Sequence, residues 1–574
     1  MNHCNRTALA AALLGAISAA SALHADVKLP ALFGDHMVLQ EKKTLPVWGT
    51  ADPDEAVTVT VGAETGHATA DASGKWRVDL KPLAASATPL TVTVKGKNTV
   101  TFTDVLVGEV WICSGQSNME FGIGNDYRGA ATIAQANDPG LRLFLVPHAT
   151  ALDPQADIAK VAPNSLAGKW QVVTPALMGG KWGWNGFSAV GYFFGKEIRG
   201  RTGKPVGLIG TYWGGTPAQA WTSISGLEKD PALKHYVDAH NKAVADFPAA
   251  KAAYPGKMTA YQTALAAWEA NGGKAFEDQM KTWTEAAKQA QAANQPPPPK
   301  PVPPSPQPHP PMTADGGPNA PTTLYNGMIS PLLPFAIEGA IWYQGESNAG
   351  NAAEYRVLFA RMIKDWREKW GEGDFPFFWV QLACFKANVN VQNWPFLREA
   401  QAETLSLPNT GMATALDVGN PNDIHPADKD DVGHRLALAA EHVAYGEKIV
   451  SAGPTYQTMQ VKGNAVSLSF KDEGGGLIIG KAPWAPPGAP PVPTDHLTGF
   501  TIAGADKKFV PADAKIAGAS VIVSSAQVPA PVAVRYDFAN SPDPLGNLYN
   551  QEGLPAFPFR TDDWTDPAMG QLAK

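Results

Sequence analysis

Apolar and polar residues alternate through much of the first hundred positions. Ala56-Val-Thr-Val-Thr-Val61, Lys75-Trp-Arg-Val-Asp-Leu80 and Leu90-Thr-Val-Thr-Val94 carry an apolar side chain at every second place, the period of a half-buried strand. Gly, Asp and Pro separate them, which predicts a small β-sandwich over residues 26–104. From Val105 to Cys113 the alternation gives way to a nearly unbroken apolar run, the signature of a strand buried on both faces. Shorter apolar runs open Gly207–Trp221 and Gly339–Asn348, and each leads into a glycine-containing loop. Val432, Leu436, Ala439, Ala440 and Val443 recur at helical spacing and predict a helix from about Asp428 to Tyr445, with Asp428 or Asp430 in its first turn.

Between these runs the pattern changes. Gly226 to Ala293 is rich in Ala, Lys, Glu and Gln, with Tyr261, Leu265, Trp268 and then Phe276, Met280, Trp283 at helical spacing. This predicts a helical hairpin inserted into the surrounding domain. The stretch Gln295–Pro311 that ends it is dominated by proline and is expected to be an extended, solvated spacer of about 3 Å per residue. Alternating strands return in Ala465-Val-Ser-Leu-Ser-Phe470 and Val532-Ala-Val-Arg-Tyr536. The resulting division is a leader (1–25), an N-terminal β domain (26–104), a catalytic domain in two parts (105–225 and 322–448), the insertion with its Pro-rich linker (226–321) and a C-terminal β domain (449–574).

A chain of 574 residues has room for several cores, and its net charge of −7 marks neither a nucleic-acid nor a membrane-surface partner. Met1–Ala25, with Arg6 before the apolar run Ala8–Ala22, reads as a signal peptide cleaved near Ala25, so the protein is expected to be secreted or periplasmic. That run is too short to span a bilayer. Cleavage removes Cys4 and leaves Cys113 and Cys384, for which two buried free thiols are a plainer expectation than a disulfide. The scattered histidines and two cysteines show no ligand spacing, so no metal or other cofactor is expected.

The candidate chemistry lies at the ends of the apolar runs. Ser117 follows the Val105–Cys113 strand across a turn through Ser114, Gly115 and Gln116, which would expose its hydroxyl and free its backbone N–H. Met119 replaces the second glycine of a nucleophile elbow, so this is not that motif. His425 sits in a loop fixed by Pro426, with Asp423 two positions before it; such a placement suits a general base. Gly214 and Gly215 can bring backbone N–H groups close to a carbonyl, and Gln344 and Asn348 carry amides able to donate to the same oxygen. Each of these segments taken alone is equally a polar loop. His434 and His442 fall inside the helix and are assigned to packing or solvent.

Gly115-Gln-Ser-Asn-Met119, Trp213-Gly-Gly-Thr216, Trp342-Tyr-Gln-Gly-Glu-Ser-Asn348 and Asp423-Ile-His-Pro426 together resemble the sialate O-acetylesterase family of SGNH-type serine hydrolases. Phe187–Phe194, Leu324–Pro331 and Asn547–Pro555 extend the resemblance over most of the chain after residue 25. It implies an α/β protein whose catalytic domain is a flavodoxin-like three-layer α/β/α unit, and metal-free removal of acetyl groups from carbohydrates. Carried over, Ser117 is the nucleophile, His425 the base and Asp423 the acid, with Asp417 in reserve because many relatives place the acid three residues before the histidine. The oxyanion donors are Ser117, Gly214 or Gly215, and an amide from Gln344 or Asn348; Gln116, Trp213 and Glu346 are the candidate substrate contacts.

The expected partner is an acetylated mono- or oligosaccharide, a sialic acid or a hemicellulose fragment. Trp182, Trp184, Trp213, Trp221 and Trp394 as a set favour a sugar over a lipid. A sialic acid carboxylate would want an arginine, for which Arg128 and Arg398 are the candidates. A general short-chain carboxylesterase and a non-catalytic sugar-binding protein are the competing readings.

Overall fold

A computed structural model describes residues 26–180, 183–292, 298–386, 391, 393–480 and 495–570; the expected leader at 1–25 lies outside the described residues. At the N-terminus, Ala56–Val61 pairs antiparallel with Glu64–Thr69 and Ser86–Lys95, while Leu45–Thr50 and Lys75–Leu80 form a separate ribbon. The alternation does what it predicts: Val57, Val59 and Val61 are buried, and so are Trp76, Val78 and Leu80. The ribbon lies close against the other strands, since a Cβ on Gly66 would come within 2.5 Å of Val78.

Strand β1 (Thr99–Gly115) ties this unit to the central sheet. Its first half pairs antiparallel with Ser86–Lys95 and is alternately exposed, and its second half is buried throughout. A boundary between 104 and 105 therefore falls within one continuous strand. The sheet continues with β2 (Asp138–Leu145), β3 (Trp170–Val173), β4 (Val206–Tyr212), β5 (Gly339–Tyr343), β6 (Phe377–Gln381) and β7 (Thr410–Thr414). Their order is β7-β6-β5-β1-β4-β2-β3, with every pair parallel except β2 and β3. Burial on both faces explains why these strands read as continuous apolar runs. The chain builds one side of β1 and then crosses to the other, so the strand order reverses at β1, and open α/β sheets bind ligands outside the carboxyl ends of their strands at such a point.

The helices that matter here are α1 (Ser117–Glu120), α2 (Ala189–Thr202), α3 (Lys234–Trp268), α4 (Lys274–Ala292), α5 (Ala352–Trp370), α6 (Trp394–Glu403) and α7 (Asp430–Val443). Trp111 of β1 packs on Phe194 of α2 with ring centroids 5.0 Å apart, and Trp342 of β5 packs on Trp366 of α5 at 5.9 Å. Trp111 is in register with Gly339, three positions before Trp342, so the two indoles leave opposite faces of the sheet. Helices thus cover both faces. Gly433 lets α7 approach α2, because a Cβ there would meet that of Phe193 at 2.6 Å.

The insertion is a helical hairpin, as the spacing predicts, with α3 and α4 joined through Glu269–Gly273 and a left-handed Gly272 (φ +97°). Its base is held by a 2.9 Å hydrogen bond between His240 and Thr322 and by contacts of His235 and Tyr236 with Glu354. The proline segment departs from expectation. Trp283 Nε1 donates to the Pro298 carbonyl at 2.8 Å and Trp268 Nε1 to the Ser305 carbonyl at 3.0 Å, while Lys300 lies over the Trp283 ring. Proline supplies carbonyls but no N–H, so an extended proline run is well matched to outward-facing indole donors. It lies along the hairpin as a strap instead of standing free.

The C-terminal region forms two four-stranded sheets with a separate core that includes Val466, Leu468, Ile502, Val521 and Val534. It is bolted to the catalytic region by Arg398 of α6, which donates to the carbonyls of Leu382, Ala383, Ala539 and Asn540 at 2.7–2.9 Å. Cys113 and Cys384 are buried free thiols. No helix among the described residues is long and apolar enough to cross a membrane.

Candidate active site

Ser117 is placed by a turn that only glycine permits. Gly115 ends β1 at φ +138°, and a Cβ there would sit 2.2 Å from the Tyr343 carbonyl oxygen. The Gln116 N–H donates to Tyr343 O at 3.0 Å and the Trp213 N–H to Gly115 O at 3.1 Å, so the turn is pinned to the ends of both neighbouring strands. Ser117 then begins α1 with its side chain half-buried. His425 arrives from the loop between β7 and α7, and its Nε2 lies 2.9 Å from Ser117 Oγ. The Trp184 ring meets the imidazole edge-on at 4.8 Å.

The two candidate acids part company. Asp423 Oδ1 is 3.8 Å from His425 Nδ1, and the same oxygen accepts the His425 backbone N–H at 2.9 Å; the side chain is 55% exposed. Asp417 is held elsewhere, bidentate to Arg435 at 2.6 and 2.7 Å and accepting from Tyr549 Oη at 3.0 Å. Burial, and then the nearby Lys429 charge, hold the His425 imidazole below its ordinary value, partly opposed by Asp423.

The oxyanion candidates also separate. Gly214 packs on Ser117, but its N–H donates to Glu120 Oε2 at 2.7 Å. Gly215, at φ +73°, has open space where a side chain would stand, and its N–H has no partner among the described residues. The side-chain amides do another job. Gln344 is fully buried, and its amide nitrogen donates to Thr216 O and to Asn348 Oδ1. Asn348 in turn accepts from the Ala218 N–H and donates to Gln219. Both amides thus fasten the 216–219 loop.

Gln116 and Glu346 each hydrogen-bond within the protein. Gln116 Oε1 accepts the Ser347 N–H at 3.2 Å, and Glu346 Oε1 accepts from Asn118 Nδ2 at 2.6 Å. Of the tryptophans, Trp221 and Trp394 are buried core residues, Trp184 is exposed beside His425, and Trp213 stacks on His148 at 4.1 Å. Trp182 lies outside the described residues. Arg398 is fully engaged by carbonyls, and Arg128 pairs with Asp430 at 2.7 Å.

Three residues here were not singled out from sequence. Glu120 stands one helical turn after Ser117, a spacing that puts it on the same face and was there to be used. His148 donates to Tyr212 O at 3.0 Å and lies 3.7 Å from the other Glu120 oxygen. Lys429, within Asp428-Lys-Asp-Asp431, reads as part of a solvated charge run, yet it is fully buried, with its ammonium over the Phe121 and Tyr343 rings.

Residues 314–442 match the family model described as carbohydrate esterase, sialic acid-specific acetylesterase. The chain is 28% identical over 473 residues to sialate O-acetylesterase of Mus musculus, covering 76% of this chain and 78% of that one. It is 26% identical over 456 residues to the Homo sapiens protein of the same name, covering 74% and 72% respectively. The crystal structure of XAC1771, a carbohydrate acetylesterase from Xanthomonas citri, superimposes with a TM-score of 0.71 at 36% identity, covering 94% of this chain and all of that one.

Proposed function

The chain belongs to the sialate O-acetylesterase family of carbohydrate esterases and is an ester hydrolase, and on that premise we propose that it releases acetate from acetylated sugars through an acetyl-Ser117 intermediate. The observation that carries this reading is the 2.9 Å separation of Ser117 Oγ and His425 Nε2. With the imidazole proton on Nδ1, facing Asp423, Nε2 accepts the serine proton as Oγ attacks the acetyl carbonyl carbon. The carbonyl oxygen becomes negative against the N–H groups of Ser117 and Gly215. One such donor is worth about 3 kcal/mol of transition-state stabilisation, roughly a hundredfold in rate. The His425 imidazolium then protonates the departing sugar oxygen. Water, deprotonated by His425, attacks the acetyl-enzyme and frees acetate and Ser117. Asp423 favours the imidazolium through space across its 3.8 Å gap.

The scaffold is an SGNH-type three-layer unit, a reading supported by its strand order and by catalytic residues at the carboxyl ends of β1 and β7. Export is supported by Arg6 and the apolar run Ala8–Ala22. Trp184, edge-on to His425, and Trp213, stacked on His148, suit sugar faces. The engagement of Arg398 and Arg128 favours a neutral acetylated saccharide over a sialic acid.

The test is acetate release from acetylated sialic acid, acetylated xylan and xyloglucan oligosaccharides and a chromogenic acetate, by wild type and Ser117→Ala. Release from the neutral sugars, with a loss of about four orders of magnitude or more in the variant, is the expected result. A variant with wild-type rates would remove Ser117 from the mechanism.

A further inference from the structure

Among the described residues no carboxylate lies within hydrogen-bond distance of His425 Nδ1, which leaves open what else holds the proposed base on Ser117. Asp423 grips its main-chain N–H, and the ring oxygen–nitrogen gap is 3.8 Å. The stronger link is one residue away on each side. Asn118, next to Ser117, donates from Nδ2 to the carbonyl of Ile424, the residue before His425, at 3.0 Å. Its second Nδ2 hydrogen goes to Glu346 Oε1 at 2.6 Å, and its Oδ1 accepts from Lys429 Nζ at 2.6 Å. Every polar site of the Asn118 amide facing these groups is used. A flipped amide would set two donors against an ammonium and an acceptor against both a carboxylate and a carbonyl, so Lys429 and Glu346 together dictate which way Asn118 points.

We propose that Lys429, Asn118 and Glu346 form a buried positioning network that fixes the distance and direction of His425 relative to Ser117. The proposal rests on the reading of Ser117 and His425 as nucleophile and base. A solitary ammonium is costly to bury, and this one has Glu346, Asp126, Asp423 and Asp428 around it, with the Phe121 and Tyr343 rings above. Among the described residues its side-chain hydrogen bond goes to Asn118, at 2.6 Å. From there the charge also acts on His425. The charged groups facing the imidazole are Lys429, which disfavours its protonated form, and Asp423, which favours it. Burial brings the Lys429 ammonium down to about 7, so it is charged in the acid range where His425 titrates.

The test compares full-length wild type, Lys429→Met, Asn118→Ala and the double variant on the chromogenic acetate, with melting temperature recorded for each. Each single change is expected to lower kcat at least about tenfold with KM within about threefold, because a misplaced base costs turnover and not binding. The double variant should lose no more than the worse single one, since both act through one contact. In Lys429→Met the acid limb of kcat/KM should move to higher pH, a shift that a merely structural lysine would not cause. If Lys429→Met does not fold, Asn118→Ala and its kcat–KM split carry the test. Wild-type kcat in the folded Asn118→Ala, or an unmoved acid limb in a folded Lys429→Met, overturns the network. If Ser117→Ala also keeps its rate, the reading of the whole site has failed; an inactive Ser117→Ala beside normal network variants removes the network alone.

Discussion

The backbone N–H of Gly214 donates to the Glu120 carboxylate at 2.7 Å, although Gly214 packs directly on Ser117. A developing oxyanion and an ionised carboxylate compete for any donor placed between them. The neighbouring Gly215 N–H, at an exposed position of the same loop, has no such competitor among the described residues. Glu120 therefore does to the loop what Gln344 and Asn348 do from its other end: it fixes the backbone, and the proposed oxyanion role falls to Gly215.

That close approach makes Gly214→Ala informative. The added Cβ would stand 3.2 Å from Glu120 Oε2 and 3.3 Å from Ser117 Cβ, so either the carboxylate or the nucleophile must shift. We expect kcat on the chromogenic acetate to fall at least about tenfold, because small displacements of reacting groups are expensive in rate. The melting temperature should barely change. An alanine variant with full turnover would show that the loop can yield without disturbing Ser117.

The two acids should fail in different ways. Asp423→Asn removes a half-exposed carboxylate 3.8 Å from the ring, so kcat/KM should drop about ten- to a hundredfold, less than the roughly ten-thousandfold of a tightly bonded triad acid. Asp417→Asn breaks a buried bidentate pair with Arg435 and should cost about 3–5 kcal/mol of stability, with kcat of the folded enzyme little changed. Thermal unfolding and kinetics on the same two preparations separate these outcomes. A catalytic collapse confined to Asp417→Asn would reverse the assignment.

Acid inactivation should begin below the ordinary imidazole value of 6.5, since burial and Lys429 both disfavour protonated His425. Protonation blocks acceptance of the serine proton, so kcat/KM falls as pH drops through that depressed value. Asp423 acts in the opposite sense, and Asp423→Asn should carry the limb to still lower pH. A wild-type limb at or above 6.5 would contradict this electrostatic picture.

Much of this was legible in the chain. The apolar runs located the strands, and motifs at their ends brought Ser117 and His425 together correctly. What did not transfer was the direction of side chains just past a strand. Gln344 follows Tyr343 and looked available to an oxyanion, but the chain turns it into the interior, where Thr216 and Asn348 take both hydrogens. Arg398 was a candidate for a substrate carboxylate and Lys429 was not singled out, because a linear pattern does not record which cations a fold encloses. Their partners are backbone carbonyls and an amide up to 311 positions away, and no local spacing announces such a contact. The proline strap was misjudged for a related reason: composition fixed its extended shape, while its docking depends on Trp268 and Trp283 turning toward it.

The strand that ends at Gly115, two residues before Ser117, begins in the N-terminal unit and runs 17 residues without a break, roughly 55 Å. That makes the unit a handle on the serine. It cannot be exchanged as a cassette, because any cut at its edge severs the middle strand of the catalytic sheet.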